Sequence, residues 1–197
     1  MESNTRHGPL TVDDLMSLEQ YAKQRAGFRA NIMAHKKVRS VALGPNATVL
    51  FEDRLLVQYQ IQEMLRAERI FEQEGIEDEL NAYNPLIPDA HNLKATLLIE
   101  FVDPAERQVA LMRLRGFERH VALKIGEHSV PAIADEDLER ENDTKTSAVH
   151  FLRFHLSASA RAAALSGADM EITVSHPQYQ YAIKLSEATR ASLVADL

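Results

Sequence analysis

LKATLLIEFV, residues 93–102, is the stretch that decides the fold class. Every second residue is apolar, namely Leu93, Ala95, Leu97, Ile99 and Phe101. This is the period-two pattern of a β-strand. The opposite face carries Leu98 and Val102 on either side of Glu100, so both faces are largely apolar. Such a strand is typical of the centre of a sheet that is covered on both sides.

Further strand and helix patterns extend outward from this central strand. The predicted strands, including a hairpin across the turn residues GPN, are VRSVAL, ATVLFE, HVALKIG, SVPAIA, SAVHFLRFHLS and MEITVSH. In MEITVSH the inward-facing residues are Met170, Ile172 and Val174. Pro131 in SVPAIA favours an edge position, because proline cannot donate a ladder hydrogen bond.

Helical patterns occupy the remaining segments. The predicted helices, besides one long central helix, are TVDDLMSLEQYA, FRANIMAHKK, DPAERQVALMRLRG, SARAAALSG and SEATRASLVADL. We therefore predict an α+β fold in a single domain over residues 1–197, with helices packed on a mostly antiparallel sheet. It has an N-terminal helical segment, and residues 1–10 are predicted to form a flexible tail.

Composition excludes several classes of protein. The chain of 197 residues is 45% hydrophobic and 26% charged, which is ordinary for a globular protein able to bury a core. It has no cysteine, which excludes disulfides, thiolate metal sites, Fe–S ligation and cysteine nucleophiles. No apolar run approaches the roughly 20 residues of a membrane span, and the N-terminus has no signal-peptide core. These features predict a cytoplasmic protein without membrane association.

The charge is unevenly distributed along the chain. Residues 20–40 hold six Lys or Arg and no acid, whereas DEDLEREND, residues 135–143, holds six acids and one Arg. Two solvated faces explain both segments, and the alternative is an anion or nucleic-acid site on the basic one. The net charge of −7 and the absence of an aromatic stacking platform or RNA-binding motif make nucleic acid an improbable partner.

VQYQIQEMLRAERIFEQEG, residues 57–75, predicts the long central helix, running from about Asp53 to Gln73. Three glutamates lie on or beside its apolar side. At 100° per residue, Glu68 falls in the middle of the apolar sector and Glu72 beside Ile61 and Leu65, whereas Glu63 is flanked by Leu56 and Ile70. A buried ionised carboxylate is costly unless it is paired, hydrogen-bonded or metal-bound, so the pattern predicts partners for these groups.

Polar residues on the predicted strands are candidate partners. Arg153 and His155 share one strand face, and His150 lies on the other. Because His150 and His155 are five residues apart, they face opposite sides of a strand and cannot easily hold one metal ion. The predicted polar core or ligand site comprises Glu63, Glu68, Glu72, Glu100, Arg153, His150 and His155.

Three interpretations of these carboxylates stay open. The favoured one is an ion-pair network, with Glu68 or Glu72 bound to Arg153 or another arginine, because buried charges are normally paired. The second is a polar ligand cavity or active site in which a carboxylate acts as general acid or base. The third is a metal held by carboxylates and histidine, although the helix lacks the Glu-x-x-His motif of di-iron bundles. The residues identify no cofactor and no catalytic group.

A family resemblance covers most of the chain. The stretch YQIQEMLRAERIFEQEGIEDELNAYNPLIPDAHNLKATLLIEF, followed downstream by ADEDLEREND and KTSAVHFLRF, resembles a bacterial family known as domain of unknown function 3501. The match runs from LEQYAKQR to SHPQY. Genes of this family are often found near those of rubrerythrin-like and Fe–S oxidoreductase proteins, which implies a role beside an oxidative-stress or electron-transfer system.

The expected function follows from this resemblance and from the residues together. We expect a cytoplasmic accessory or binding protein that acts through a protein partner or a small ligand. The alternative is an enzyme or metalloprotein that uses the carboxylates of the central helix. A homo-oligomer is compatible with the sequence.

Overall fold

The computed structural model describes residues 8–134 and 146–197, so the acidic segment at 135–143 lies outside the described residues. The described residues form eight β-strands and six α-helices. The strands are β1 Ser40–Ala42, β2 Ala47–Glu52, β3 Asn92–Ile99, β4 Val121–Ile125, β5 His128–Ala134, β6 Val149–His155, β7 Met170–His176 and β8 Tyr179–Lys184. The helices are α1 Leu18–Arg39, α2 Arg54–Glu68, α3 Gln73–Tyr83, α4 Pro104–Arg113, α5 Ala158–Leu165 and α6 Glu187–Val194.

All eight strands belong to one antiparallel sheet in the order β1-β2-β3-β6-β5-β4-β7-β8. This confirms the predicted α+β class and the antiparallel sheet. The strand β3 pairs with both β2 and β6, as expected of a central strand. Its alternate residues from Leu93 to Ile99 are buried, because they face the inside of the curved sheet.

The sheet curls until its two end strands approach each other, giving a shape close to a barrel that the sequence did not predict. The Tyr179 hydroxyl of β8 donates to the Leu43 carbonyl at 2.8 Å and accepts from the Asn46 N–H at 2.9 Å. Both partners lie at the turn between β1 and β2. Gly44 in this turn has φ +85°, and a Cβ there would lie 2.6 Å from the Tyr179 hydroxyl, so the close approach requires glycine.

One apolar cluster fills the inside of the curled sheet. Its buried members come from strands β1 to β7 and from α4, α5 and α6, and Tyr179 and Ile183 of β8 pack against it while partly buried. Among its fully buried members are Phe51, Leu97, Leu123, Phe154 and Ile172. This cluster stabilises the sheet as a unit, because the strands bury their inner faces against one another.

Helices α1 and α2 pack against each other outside the sheet. Ser17 caps α1 by accepting a hydrogen bond from the Gln20 N–H at 3.2 Å. The predicted break at Gly27 does not occur, and α1 is one continuous helix of 22 residues. Ile32 of α1 and Leu56 of α2 lie in a second apolar cluster, against which Leu50 of β2 packs.

The predicted long central helix is wrong, because the helix ends at Glu68. Arg69 adopts the left-handed conformation with φ +57°, and the Ile70 N–H donates to the Leu65 carbonyl at 2.9 Å. These contacts form a C-terminal cap, after which the chain turns into α3. Gln73, the predicted end of the long helix, is instead the first residue of α3.

Two further expectations need correction. Leu10, assigned to the flexible tail, is buried. Its N–H donates to Oδ1 of the Asn84 side chain at 2.7 Å, and its carbonyl accepts from Nδ2 of the same side chain at 2.9 Å. Strand β5 is internal, since it pairs with β4 through residues 128–131 and with β6 through residues 132–134. Pro131 lies where β5 changes its pairing partner from β4 to β6. At such a position the hydrogen bond that proline cannot donate is less important to the ladder.

Candidate functional site

Glu63 is the carboxylate of α2 that is paired inside the fold. Arg25 of α1 donates to both of its oxygens, from Nε and Nη2, at 2.7 Å each. The buried Tyr21 hydroxyl also donates to it at 2.5 Å. The hydrogen bonds from Arg25 lower the pKa of Glu63 to about 2, and burial raises the pKa of Tyr21. This bidentate ion pair joins α1 to α2, and it lies at Glu63, whereas the network was predicted at Glu68 or Glu72.

The predicted burial of Glu68 and Glu72 is wrong. Both side chains are exposed, because the helix that would have turned them inward ends at Glu68. Phe71, assumed to pack on the same apolar side, is 69% exposed. Arg153, the expected partner, is exposed on the outer face of β6 opposite Lys94, and within the described residues it forms no ion pair with Glu68.

His150 and His155 face opposite sides of β6, as predicted, with His150 buried and His155 exposed. The His150 Nε2 lies 2.9 Å from the Thr146 hydroxyl and 3.9 Å from the carboxylate of Glu118, which is also buried. This polar group lies inside one end of the barrel. Glu118 was not predicted as a site residue, because it stands in a short 3₁₀ turn without a recognisable motif. Across residues 8–134 and 146–197, no three His, Asp or Glu side chains converge as metal ligands would.

A second buried polar cluster surrounds Arg39 at the end of α1. Its guanidinium is 1% exposed and donates to the carbonyls of Phe51 and Glu52 and to the Ser192 hydroxyl, at 2.8 to 2.9 Å. The acids around it are Asp196, at 2.5 Å, and Asp53, at 3.4 Å, which His35 also contacts. Every nitrogen of the Arg39 side chain is therefore engaged within the fold.

Several cations of the basic segment at 20–40 are likewise held by acids of the fold. Lys23 pairs with Glu19 at 2.8 Å, Arg25 with Glu63, and Arg39 is buried. That nucleic acid is not a partner stays a prediction.

No helix in the described part of the chain has both the length and the apolar character that crossing a membrane requires.

Helix α4 forms one wall of a cleft that resembles a ligand-binding site. Asp103 caps it by accepting hydrogen bonds from the N–H groups of Ala105 and Glu106 at 2.8 Å, and Pro104 fits its first turn. One side of the helix buries Leu111 in the core. Val109, on another side, is 43% exposed. The second half of α4 therefore leaves some apolar surface exposed beside the part that packs against the barrel.

A cleft of about 540 Å³ lies between α4 and the start of β8. Its lining is largely apolar and consists of Phe101, Ala105, Glu106, Val109, Ala110, Arg113, Leu114, Gln178 and Tyr179. This volume falls within the range of about 300–1,000 Å³ that is usual for small-molecule sites. The Tyr179 hydroxyl is already engaged at the barrel seam, which leaves Glu106, Arg113 and Gln178 as the polar groups for a ligand.

A second cleft, of about 650 Å³, shares Phe101 with the first. Glu100 and Arg107 contribute its charged groups, and Val102 in its wall is fully exposed. Glu100, one of the predicted site residues, also accepts a hydrogen bond from the Thr48 hydroxyl at 2.8 Å. Of the predicted set, Glu100 is the residue that lines a cleft beside α4.

The α4 cleft was not predicted, although the sequence of α4 carries a signal for it. Leu111 and Val109 point to different sides of the helix, and Met112, 46% exposed, points to a third. A helix with one buried side needs a single apolar stripe. The additional apolar residues indicate a second surface that contacts something other than the core.

Comparison with known proteins places the chain in a family. A crystal structure of a novel protein of unknown function from Burkholderia pseudomallei is 48% identical in sequence and matches with a TM-score of 0.91, covering 96% of this chain and 100% of that one. No curated protein matches the chain. The family model for a protein of unknown function, DUF3501, matches residues 9–197. The chain thus belongs to the DUF3501 family, which confirms the resemblance seen in its sequence.

Proposed function

We propose that the protein is a binding protein that takes a small, largely apolar molecule into the cleft beside α4. The cleft of about 540 Å³ carries this proposal, because it leaves apolar side chains such as Val109 in contact with water. Covering such a surface is favourable by roughly 25 cal/mol for each Å² removed from water. The setting, a cytoplasmic accessory role beside an oxidative-stress or electron-transfer system, rests on the family resemblance alone.

The walls of the cleft are held in place without a ligand. Asp103 fixes the start of α4, and Leu111 and Leu114 anchor its inner side in the core. Tyr179, in the opposite wall, is held by its two hydrogen bonds at the barrel seam. A preformed site binds more tightly than a flexible one, because less conformational entropy is lost on binding.

The chemistry of the lining supports binding over catalysis. Its titratable groups are Glu106, Arg113 and Tyr179, and burial raises the pKa of Tyr179, which keeps that hydroxyl protonated. The lining has no paired nucleophile and base. The alternative of an enzyme on the central-helix carboxylates has less support, because Glu63 is held by Arg25 and Tyr21, whereas Glu68 and Glu72 are exposed.

Titration with Nile red, a neutral apolar dye, tests the proposal. We expect blue-shifted, saturable fluorescence with the wild-type protein and at least about tenfold weaker binding with Val109→Asp, because the new carboxylate must lose water when the dye enters. Met112→Asp is the matched control. It puts the same charge on the same helix at a similar exposure, 46% against 43%, but outside the cleft lining. Absent dye binding, or equal loss in both variants, would contradict the proposal.

A further inference from the structure

The two ends of the α4 cleft carry opposite charges. Glu106 lies in the first turn of α4 and Arg113 in its last turn, and both line the cleft. They are seven residues apart, so about 10 Å of helix separates their backbone positions. We infer that the cleft selects an apolar chain with a single carboxylate, held by Arg113, whose uncharged end lies near Glu106. This inference rests on the proposed binding function of the same cleft.

Arg113 is available for an anionic ligand. Within the described residues it has no hydrogen-bond or ion-pair partner, whereas Arg25 and Arg54 are held by the carboxylates of Glu63 and Asp14. A guanidinium can donate two parallel hydrogen bonds to a carboxylate, which a lysine cannot do. The partial negative charge at the end of α4 opposes an anion, so the attraction to Arg113 is expected to be moderate.

Glu106 determines what the far end of the ligand can be. Its carboxylate also has no hydrogen-bond or ion-pair partner within the described residues, although its backbone N–H donates to Asp103. About 10 Å of helix separates its backbone position from that of Arg113, which is about one Debye length at 0.1 M salt. Salt therefore screens much of the attraction between the two side chains, and each acts mainly on the nearer end of a ligand. Val109 and Ala110, which stand between them on α4, also line the cleft. A molecule lying along the helix therefore meets a cation, then apolar side chains, then an anion, which disfavours a second carboxylate.

Three ligands that share one chain length test the selectivity: decanoate, decanol and decanedioate. Their affinities are measured by displacement of Nile red at pH 7.5, where the carboxylates are ionised. The wild-type protein is expected to bind decanoate about tenfold more tightly than decanol, the effect of one charge-assisted hydrogen bond. Decanedioate is expected to bind several-fold more weakly than decanoate, and high salt should reduce both differences.

Single substitutions assign the selectivity to its residues. Arg113→Gln should bring the decanoate-to-decanol ratio close to one, and Arg113→Lys should restore part of the preference. Glu106→Gln should bring decanedioate to within about twofold of decanoate. Arg29→Gln, on the exposed surface of α1, is the control and should leave all three affinities unchanged. Circular dichroism on each variant confirms that it is folded.

The outcomes separate the two proposals. Equal wild-type affinities for decanoate and decanol would overturn the inference about the carboxylate while leaving the binding function intact. A preference for decanoate that survives in Arg113→Gln would also overturn it, since another group would then hold the anion. If Nile red does not bind the wild-type protein, the binding function itself is wrong.

Discussion

Removing the Glu63 carboxylate should destabilise the protein, whereas removing that of Glu68 should not. Both glutamates stand on α2, five residues apart, but only Glu63 has partners inside the fold. The pair of substitutions Glu63→Ala and Glu68→Ala therefore compares the same chemical change in the same helix.

The size of the effect follows from the contacts of Glu63. Tyr21 is 0% exposed, so Glu63→Ala leaves its hydroxyl buried without this acceptor, which costs about 1–3 kcal/mol. The partly buried pair with Arg25 adds about 0.2–1 kcal/mol, and the better helix propensity of alanine returns about 0.4 kcal/mol. We expect a net loss of about 1–3.5 kcal/mol. Glu68→Ala should stay within about 0.5 kcal/mol, as is usual for an exposed residue.

Urea unfolding at pH 7, followed by circular dichroism, measures both free energies. Tyr21→Phe in the Glu63→Ala background is a further control, because it removes the stranded hydroxyl and should recover about 1 kcal/mol. Glu63→Gln should cost less than Glu63→Ala, since its amide oxygen still accepts from Tyr21. The reasoning is refuted if Glu63→Ala costs no more than Glu68→Ala, or if Tyr21→Phe adds to the loss instead of reducing it.

Three other predictions follow from the pKa of Glu63, the burial of Arg39 and the closure of the barrel. The Glu63 pKa is lowered from 4.5 to about 2, so its contribution is present above pH 4.5 and lost as the pH falls toward 2; melting curves of wild type and Glu63→Gln should converge over that window. Arg39→Met should cost about 3–5 kcal/mol in urea unfolding, because it leaves Asp196 buried without its cation, and a loss below about 1 kcal/mol would contradict this. Gly44→Ala should lower the melting temperature by several degrees, since its Cβ would meet the Tyr179 hydroxyl and φ is positive, whereas Ala at the open position of Gly27 should raise it or leave it unchanged.

The sequence predicts those parts of the fold in which one face of an element is buried. The strands β3 and β7 show this, because the inward residues Met170, Ile172 and Val174 are 0 to 3% exposed, as their alternation indicates. The strand β8 was missed, since most of its residues are exposed and it shows no such alternation. Barrel closure depends on Tyr179 reaching Leu43, 136 residues away, and no local pattern reports such a contact.

The candidate site was predicted poorly for a related reason. The helical wheel that placed Glu68 inside assumed a continuous helix, but Arg69 adopts a left-handed conformation that is uncommon outside glycine and asparagine. Sequence identified Glu63 as a carboxylate needing a partner, yet Arg25 is on another helix. The α4 cleft exists because of the way α4 lies against the start of β8, which is a property of tertiary packing.

The bond between Arg39 and Asp196 gives the folding of this chain a late step. The two residues are 157 positions apart, and ribosomes add about 5–20 residues per second, so roughly 8–30 seconds separate their synthesis. During that interval Asp53 is the acid available to the Arg39 guanidinium, and the closer contact with Asp196 is still missing, so burying the guanidinium is less favourable. Helix α1 can form early, but we expect its last turn to pack firmly against β2 only when α6 has been made. The ion pair thus ties the last turn of α1 to the final residues of the chain.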